Sequence, residues 1–244
     1  MSASTLPWLT ESPKDRISDV RDTSLAKLVR DDTLALILKG ILVPGQHINE
    51  PDVASRLQVS RVPVREALRE LESMGLVVSR KHSGVSVRQL NATEIRDLYQ
   101  LRGLLDGFAG RCVAQLPLAQ RKVLSLLLSA ATTAMDHALT QHDVQAYYAE
   151  NLRFHWAIVQ AVGNQQLLEN YRGIVQKLHM SRIKNLSQTV GMQVSIAEHT
   201  EIVNAVRHAD AQQCEALMAK HVSDAYERLM ETAAPETTTT KTKQ

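Results

Sequence analysis

The stretch SRVPVREALRELESMG, residues 60–75, decides the reading of this chain. Arg61, Arg65 and Arg69 recur every fourth residue, so they project from one face of a helix. Val64, Leu68 and Leu71 fall on another face and can anchor that helix to a small core. A basic stripe on a short packed helix suits a major groove. It also suits an ordinary amphipathic surface helix, so the flanking residues must decide.

Upstream, ILVPGQHINEPDVASRLQVS (41–60) supplies a Pro-Gly turn and a short helix expected from about Pro51 to Leu57. A tight Gln-Val-Ser turn follows, with Ser60 placed to cap the next helix. Downstream, Gly75 ends the basic helix, as glycine commonly does. GLVVSRKHSGVSVRQL (75–90) alternates Val77, Val85 and Val87 around a turn from Arg80 to Gly84, a β-hairpin with a basic tip. A helix-turn-helix followed by a basic hairpin is a winged helix, here preceded by a helix from about Ser24 to Lys39.

Residues 24–88 resemble the DNA-binding domain of the GntR family of bacterial transcription regulators. The resemblance is carried by Gly40, Leu42, Pro44-Gly45, Ala54, Leu57, Ser60-Arg61, PVREAL (63–68), Leu71 and Gly75-Leu76, with Gly84 as the wing glycine. Together with the shared basic face it implies that Ser60, Arg61, Arg65 and Arg69 meet a palindromic operator, and that Lys81, His82 and Gly84 meet it from the wing. Val62 and Pro51 stand where some relatives carry polar or basic residues that touch DNA, which implies fewer contacts here.

Composition agrees with a soluble globular protein: 244 residues, 44% hydrophobic and 22% charged. No apolar run reaches the roughly 20 residues of a membrane helix, and the N-terminus lacks a secretory pattern, so a cytoplasmic protein without membrane contact is expected. Cys112 and Cys214 fall in helical patterns and read as reduced core thiols. Net charge is only +2. Residues 22–88 hold ten Lys and Arg against eight Asp and Glu, whereas 89–244 hold fifteen of each, so the surplus lies in the winged helix. Local phosphate contacts, not net charge, set DNA binding.

The expected organisation is a flexible arm (1–21), a winged helix-turn-helix (22–90), an antiparallel all-α bundle (91–231) and a disordered tail (232–244). The fold class is therefore mainly α. In the bundle, Asn91 to Glu94 reads as the cap and first turn of a helix that runs up to Leu116, and further helices are expected over about 118–141, 143–162, 165–186, 192–208 and 211–232.

Three histidines occupy faces where apolar residues are expected. His155 shares one with Leu152, Ile158 and Val159, His199 with Ile202, Val203 and Val206, and His221 with Leu217 and Leu229. Any one alone reads as a satisfied core residue. Three on core faces of three helices can instead build a metal site, since imidazoles suit zinc, nickel, iron or manganese. The orientation of His179, mid-helix, is left open. Arg102 falls in the stripe of Leu98, Leu105 and Ala109. It reads either as a salt bridge to Asp106, four residues on, or as a clamp for a carboxylate.

Residues 91–230 resemble the FadR-type effector domain, the FCD domain, through LYQLRGLLDGFAGR, NLRFHWAIVQAVGNQQL, EHTEIVNAVRHAD and KHVSDA. The resemblance implies one divalent ion held at Asn151, His155, His199 and His221, with Asn151 standing where metal-binding members carry Asp. It further implies an effector site for a small organic acid at Arg102 and the same histidines. The expected function is a dimeric, ligand-responsive repressor rather than an enzyme. A metal sensor, in which the ion itself is the signal, and a metal-dependent enzyme remain as alternatives. Against the enzyme, Glu198 and Glu201 are expected to point at least partly away from the His199 face.

Overall fold

The computed structural model describes residues 24–81, 83–182 and 191–233. The N-terminal arm, His82, the expected end of the fourth bundle helix at Leu186 and the tail beyond 233 lie outside the described residues.

The first part of the chain builds α1 (Leu25–Leu38), β1 (His47–Ile48), α2 (Glu50–Leu57), α3 (Arg61–Ser73), β2 (Val77–Arg80) and β3 (Gly84–Val87). Ser24 caps α1 by accepting from the Lys27 amide. Gln58, in the left-handed region at φ 54°, closes α2 and turns the chain into α3. Ser60 sits at the N-cap of α3 with extended backbone, but its hydroxyl makes no capping hydrogen bond. The expected cap is thus present in position and absent in chemistry: Pro63 has no N–H to donate, which leaves the Arg61 and Val62 amides of the first turn available to an anion.

The expected two-stranded hairpin is a three-stranded sheet of order β1-β3-β2. The additional strand is the two-residue β1, with His47 opposite Ser86 and Ile48 opposite Val85. Val29, Ile37, Ile48, Val64, Leu68, Leu71 and Val87 close one core among the helices and the sheet.

The second part is helical among the described residues: α4 (Ala92–Ala114), α5 (Leu118–Thr140), α6 (Val144–Ala161), α7 (Gln165–Arg182), α8 (Met192–His208) and α9 (Ala211–Ala233). Asn91 and Glu94 form a full capping box at the start of α4, the amide of each accepted by the side chain of the other at 2.8–2.9 Å. α4 lies along α9 and also meets α6, α7 and α8, while α5 packs on α6 and α8. Gly110 lets α4 and α9 approach: a Cβ there would stand 2.8 Å from Met218 Cγ and 2.9 Å from the Cys214 carbonyl.

By length and composition, α5 could cross a membrane, which differs from the reading of the sequence. It buries Leu124, Leu128, Ala131, Met135 and Ala138 in the bundle. Leu118, Val123, Leu126 and Leu127 remain exposed on its other side. Val123 and Leu127 line an open groove of about 510 Å³ together with Ala157 and Ala161 of α6.

The two parts are joined by packing as well as by chain. Met180 of α7 enters the winged-helix core, Leu38 of α1 enters the bundle core, and Leu34 touches both.

Candidate functional site

α6, α8 and α9 each turn a buried histidine to a common centre: His155, His199 and His221 are 1%, 0% and 4% exposed. The Nε2 atoms of His155 and His221 are 3.1 Å apart, and those of His155 and His199 are 3.4 Å apart. The ligating atoms of all three lie within 4.8 Å of one another. Asn151, also buried, sits one turn before His155 on α6.

The Nδ1 atoms face different partners. His155 Nδ1 lies 3.1 Å from Asp106 Oδ1, and His221 Nδ1 lies 2.6 Å from Glu198 Oε2. His199 Nδ1 is buried without a hydrogen-bond partner, with the Ser195 backbone, one turn back, pulling its pKa upward against the larger effect of burial. An ionised carboxylate only accepts, so it places the proton of a neutral imidazole on Nδ1 and leaves the Nε2 lone pair free. With both carboxylates ionised and both rings neutral, His155 and His221 would point two lone pairs at each other. That contact is repulsive unless a cation or a shared proton lies between them.

Two nitrogens each ~2.0–2.1 Å from a tetrahedral ion stand roughly 3.3 Å apart. The observed 3.1 and 3.4 Å spacings and the Nδ1 partners fit a divalent ion. Electrostatics agree, because coordination requires neutral imidazoles. Burial, then the neighbouring His221 and His155, holds the His199 pKa well below the ordinary histidine value. Burial lowers that of His221 as well, against the pull of Glu198.

Arg102 (4% exposed) donates from Nε to Asp106 Oδ2 at 3.0 Å, so the salt bridge is formed. Burial opposes the guanidinium charge, but Tyr171, Asp106 and Tyr99 more than reverse this and raise its pKa. Burial also pushes the Asp106 carboxyl upward, with Arg102 the strongest pull the other way. Tyr171 of α7, its phenol pushed up chiefly by burial, donates to Asp106 at 3.1–3.2 Å. One carboxylate thus joins Arg102, Tyr171 and His155.

Sequence reasoning named the three histidines and Arg102 and missed the groups that hold them. Asp106 entered only as a bland partner of Arg102, and Tyr171 did not enter. Glu198, expected to point at least partly away from the His199 face, carries its carboxylate from α8 to His221. Arg228 of α9 grips it through both nitrogens at 2.9 and 3.0 Å. Burial raises the Glu198 pKa, but hydrogen bonds from His221 and Arg228 outweigh this and lower it to about 2.

On the other part of the molecule, Arg61, Arg65 and Arg69 are all exposed along α3, as the four-residue spacing requires. Val62 is 64% exposed at the start of the same helix. Arg65 Nε is held by Glu50 of α2 at 2.8 Å. Lys81 is exposed at the wing tip, and His82 lies outside the described residues. Gly84 has φ +68°, and a Cβ there would stand 2.6 Å from His47 Nε2, so its role is to shape the wing.

Residues 97–224 match the FCD domain, and residues 25–87 match the bacterial regulatory proteins of the gntR family. A probable D-xylose utilization operon transcriptional repressor of Paenarthrobacter nicotinovorans is 29% identical over 201 residues, covering 82% of this chain and 87% of that protein. The Nta operon transcriptional regulator of Aminobacter aminovorans is 26% identical over 193 residues, 77% of this chain and 86% of that protein. In fold, the chain is similar to a putative transcriptional regulator GntR from Rhodococcus sp. RHA1, with TM-score 0.70, 22% identity and 86% and 99% of the two chains covered. It is also similar to E. coli McbR/YncC, with TM-score 0.67, 20% identity and 87% and 100% covered. The chain belongs to the GntR family of transcription regulators, in the FadR-type branch that joins a helix-turn-helix to an FCD domain.

Proposed function

We propose that this DNA-binding regulator is a cytoplasmic, homodimeric repressor of a palindromic operator, controlled by a small organic acid bound beside a divalent metal ion in its helical domain. The observation that carries this reading is the meeting of three Nε2 atoms beside the Arg102–Asp106 pair. Zinc, nickel or manganese would be held by His155, His199 and His221, with the Asn151 amide oxygen as a weaker fourth donor. These four donors are neutral. Asp106 and Glu198 already face Arg102 and Arg228, so the charge of a dication is left without a dedicated counter-charge. A carboxylate effector completing the shell, and sharing Arg102, supplies it. The ion would fix the histidines and offer open positions to that carboxylate.

On the DNA side, Ser60, Arg61, Arg65 and Arg69 would enter the major groove, and Lys81, His82 and the turn at Gly84 would lie on the backbone. Dimerisation through the helical domain is supported by the exposed apolar residues of α5, and a second copy is what a twofold operator requires. Effector binding controls the operator only by favouring one arrangement of the two winged helices.

The test starts with an operator selected from random duplexes. Affinity is then measured for protein without metal, with zinc, nickel or manganese alone, and with each ion plus a panel of short mono-, di- and tricarboxylic acids. Release by an acid only in the presence of an ion supports the reading. Release by the ion alone would make the chain a metal sensor. If the protein holds no metal by elemental analysis after exposure to all three ions, the metal site is wrong.

A further inference from the structure

Glu198 is not part of the ligand set, and the reading of the sequence turned it away from the site. Its carboxylate is nevertheless held against the centre from two sides. Its Oε2 lies 2.6 Å from His221 Nδ1, and both its oxygens accept from Arg228, at 2.9 and 3.0 Å. Arg228 is held in turn: it packs over Gly191, where a Cβ would stand 2.5 Å from Arg228 Cδ. Gly191 has φ +83° at the N-terminus of α8. A chain of contacts therefore runs from the start of α8 through Arg228 and Glu198 to the ring of His221.

We propose that Glu198, pinned by Arg228, is the positioning residue that fixes His221 in its Nδ1–H form with Nε2 turned into the centre, and so sets how tightly the site holds a divalent metal. The proposal rests on the metal reading given above and deepens it. A carboxylate on the far nitrogen both fixes the ring and raises its basicity as a ligand. His155 has the same arrangement through Asp106, but that carboxylate also carries Arg102 and Tyr171. His199 has no such partner. The three ligands are thus graded, and Glu198 is the carboxylate whose loss leaves the buried Arg102–Asp106 pair intact.

The experiment compares wild type with Glu198→Leu, Glu198→Gln, Arg228→Met and, as a control on an exposed position of α8, Glu201→Gln. Cobalt(II) is the probe, read by its visible d–d absorption and by competition with a chelator. Histidine ring ¹⁵N–¹H correlations of the metal-free proteins report the tautomer of His221. Wild type is expected to show His221 as Nδ1–H and to bind Co(II). Glu198→Leu should weaken Co(II) binding by about 10–100-fold and shift His221 toward Nε2–H. Glu198→Gln should fall between, because its amide oxygen still accepts from Nδ1, and Arg228→Met should weaken binding less than Glu198→Leu. Glu201→Gln should match wild type. No uptake of Co(II) by wild type overturns the metal reading itself. Uptake by wild type with equal affinity in Glu198→Leu, or an Nε2–H tautomer in wild type, overturns the role of Glu198 alone.

Discussion

His179 Nε2 donates to the backbone carbonyl of Leu38 at 2.7 Å, so one buried imidazole of the bundle closes the C-terminal end of α1 in the winged helix. Its Nδ1 faces the Tyr148 hydroxyl at 3.1 Å, and the two rings stack. Eight residues earlier on α7, Tyr171 holds Asp106 in the candidate site. Eight helical residues span roughly 12 Å. A single rigid helix therefore touches the site at one point and the DNA-binding part at another. His179→Leu keeps the bulk and removes both polar contacts. It should lower unfolding stability by about 1–3 kcal/mol, the scale for stranding a buried polar group. Amide exchange should quicken at residues 38–42, where the chain leaves α1. Unchanged exchange there would mean that the contact does not secure the junction.

Gly84 should not tolerate a side chain. Gly84→Ala meets strain from φ +68° and a clash with His47 Nε2 at 2.6 Å. The left-handed backbone alone amounts to about 1–2 kcal/mol for a residue with a Cβ. Operator affinity should fall, and His47→Ala in the same chain should recover only the steric part. Full recovery in the double variant would show that the backbone conformation does not matter.

Glu50 holds the Nε of Arg65 in the free protein, so the ion pair competes with DNA for part of the guanidinium. Arg65→Ala should weaken specific operator binding by about 1–3 kcal/mol if Arg65 reads a base. Glu50→Gln should act in the opposite sense. The pair is largely exposed, with side-chain exposures of 60% and 28%, so it contributes at most about 1 kcal/mol. Affinity should rise up to about fivefold. Weaker binding by Glu50→Gln would mean that the ion pair aims Arg65 at the operator.

Acid should destabilise the metal-free protein through the histidine centre. His199 and His221 titrate lower folded than unfolded, so the unfolded chain takes up their protons first as pH falls. Their contribution is intact above about pH 6.5 and is lost progressively below it. For His199, which faces His155, His221 and Arg102, the loss between pH 6.5 and 5 is at most about 2 kcal/mol. His199→Leu should flatten the stability–pH curve in that window, measured by denaturant unfolding without metal. An unchanged slope would show that His199 titrates normally.

Most helices were legible because their signals are local. Asn91 with Glu94, the glycine after α3 and the apolar period of α4 to α9 lie within a few residues of one another. The strand β1 was not legible, since two residues carry no period and their partner, β3, is almost forty residues away. The three histidines were legible as polar residues on apolar faces. Their holders were not, because Asp106, Tyr171 and Glu198 reach the centre from α4, α7 and α8 only after the bundle packs. Asp106 left one trace, its position four residues after Arg102 on the same buried stripe. The sequence reading gave α3 a hydroxyl cap at Ser60; the residue takes the capping backbone without the bond, and Pro63, three residues on, has no N–H to donate to it.

The Arg102–Asp106 pair changes how a test of the effector clamp must be built. Both side chains are buried, at 5% and 0% exposure, and Asp106 also accepts from Tyr171 and faces His155. Arg102→Met alone removes the cation and strands the carboxylate. Breaking one side of such a pair destabilises by about 3–5 kcal/mol, so loss of effector response in that variant would report damage rather than recognition. Arg102→Met combined with Asp106→Asn removes both charges and keeps an oxygen that can accept from Tyr171 and His155. The double variant should therefore be more stable than Arg102→Met and should retain operator affinity. If Arg102 binds the effector carboxylate, the double variant should also fail to release the operator at acid concentrations that release wild type. Release at the wild-type concentration by a folded double variant would remove Arg102 from the effector site and leave it a structural partner of Asp106.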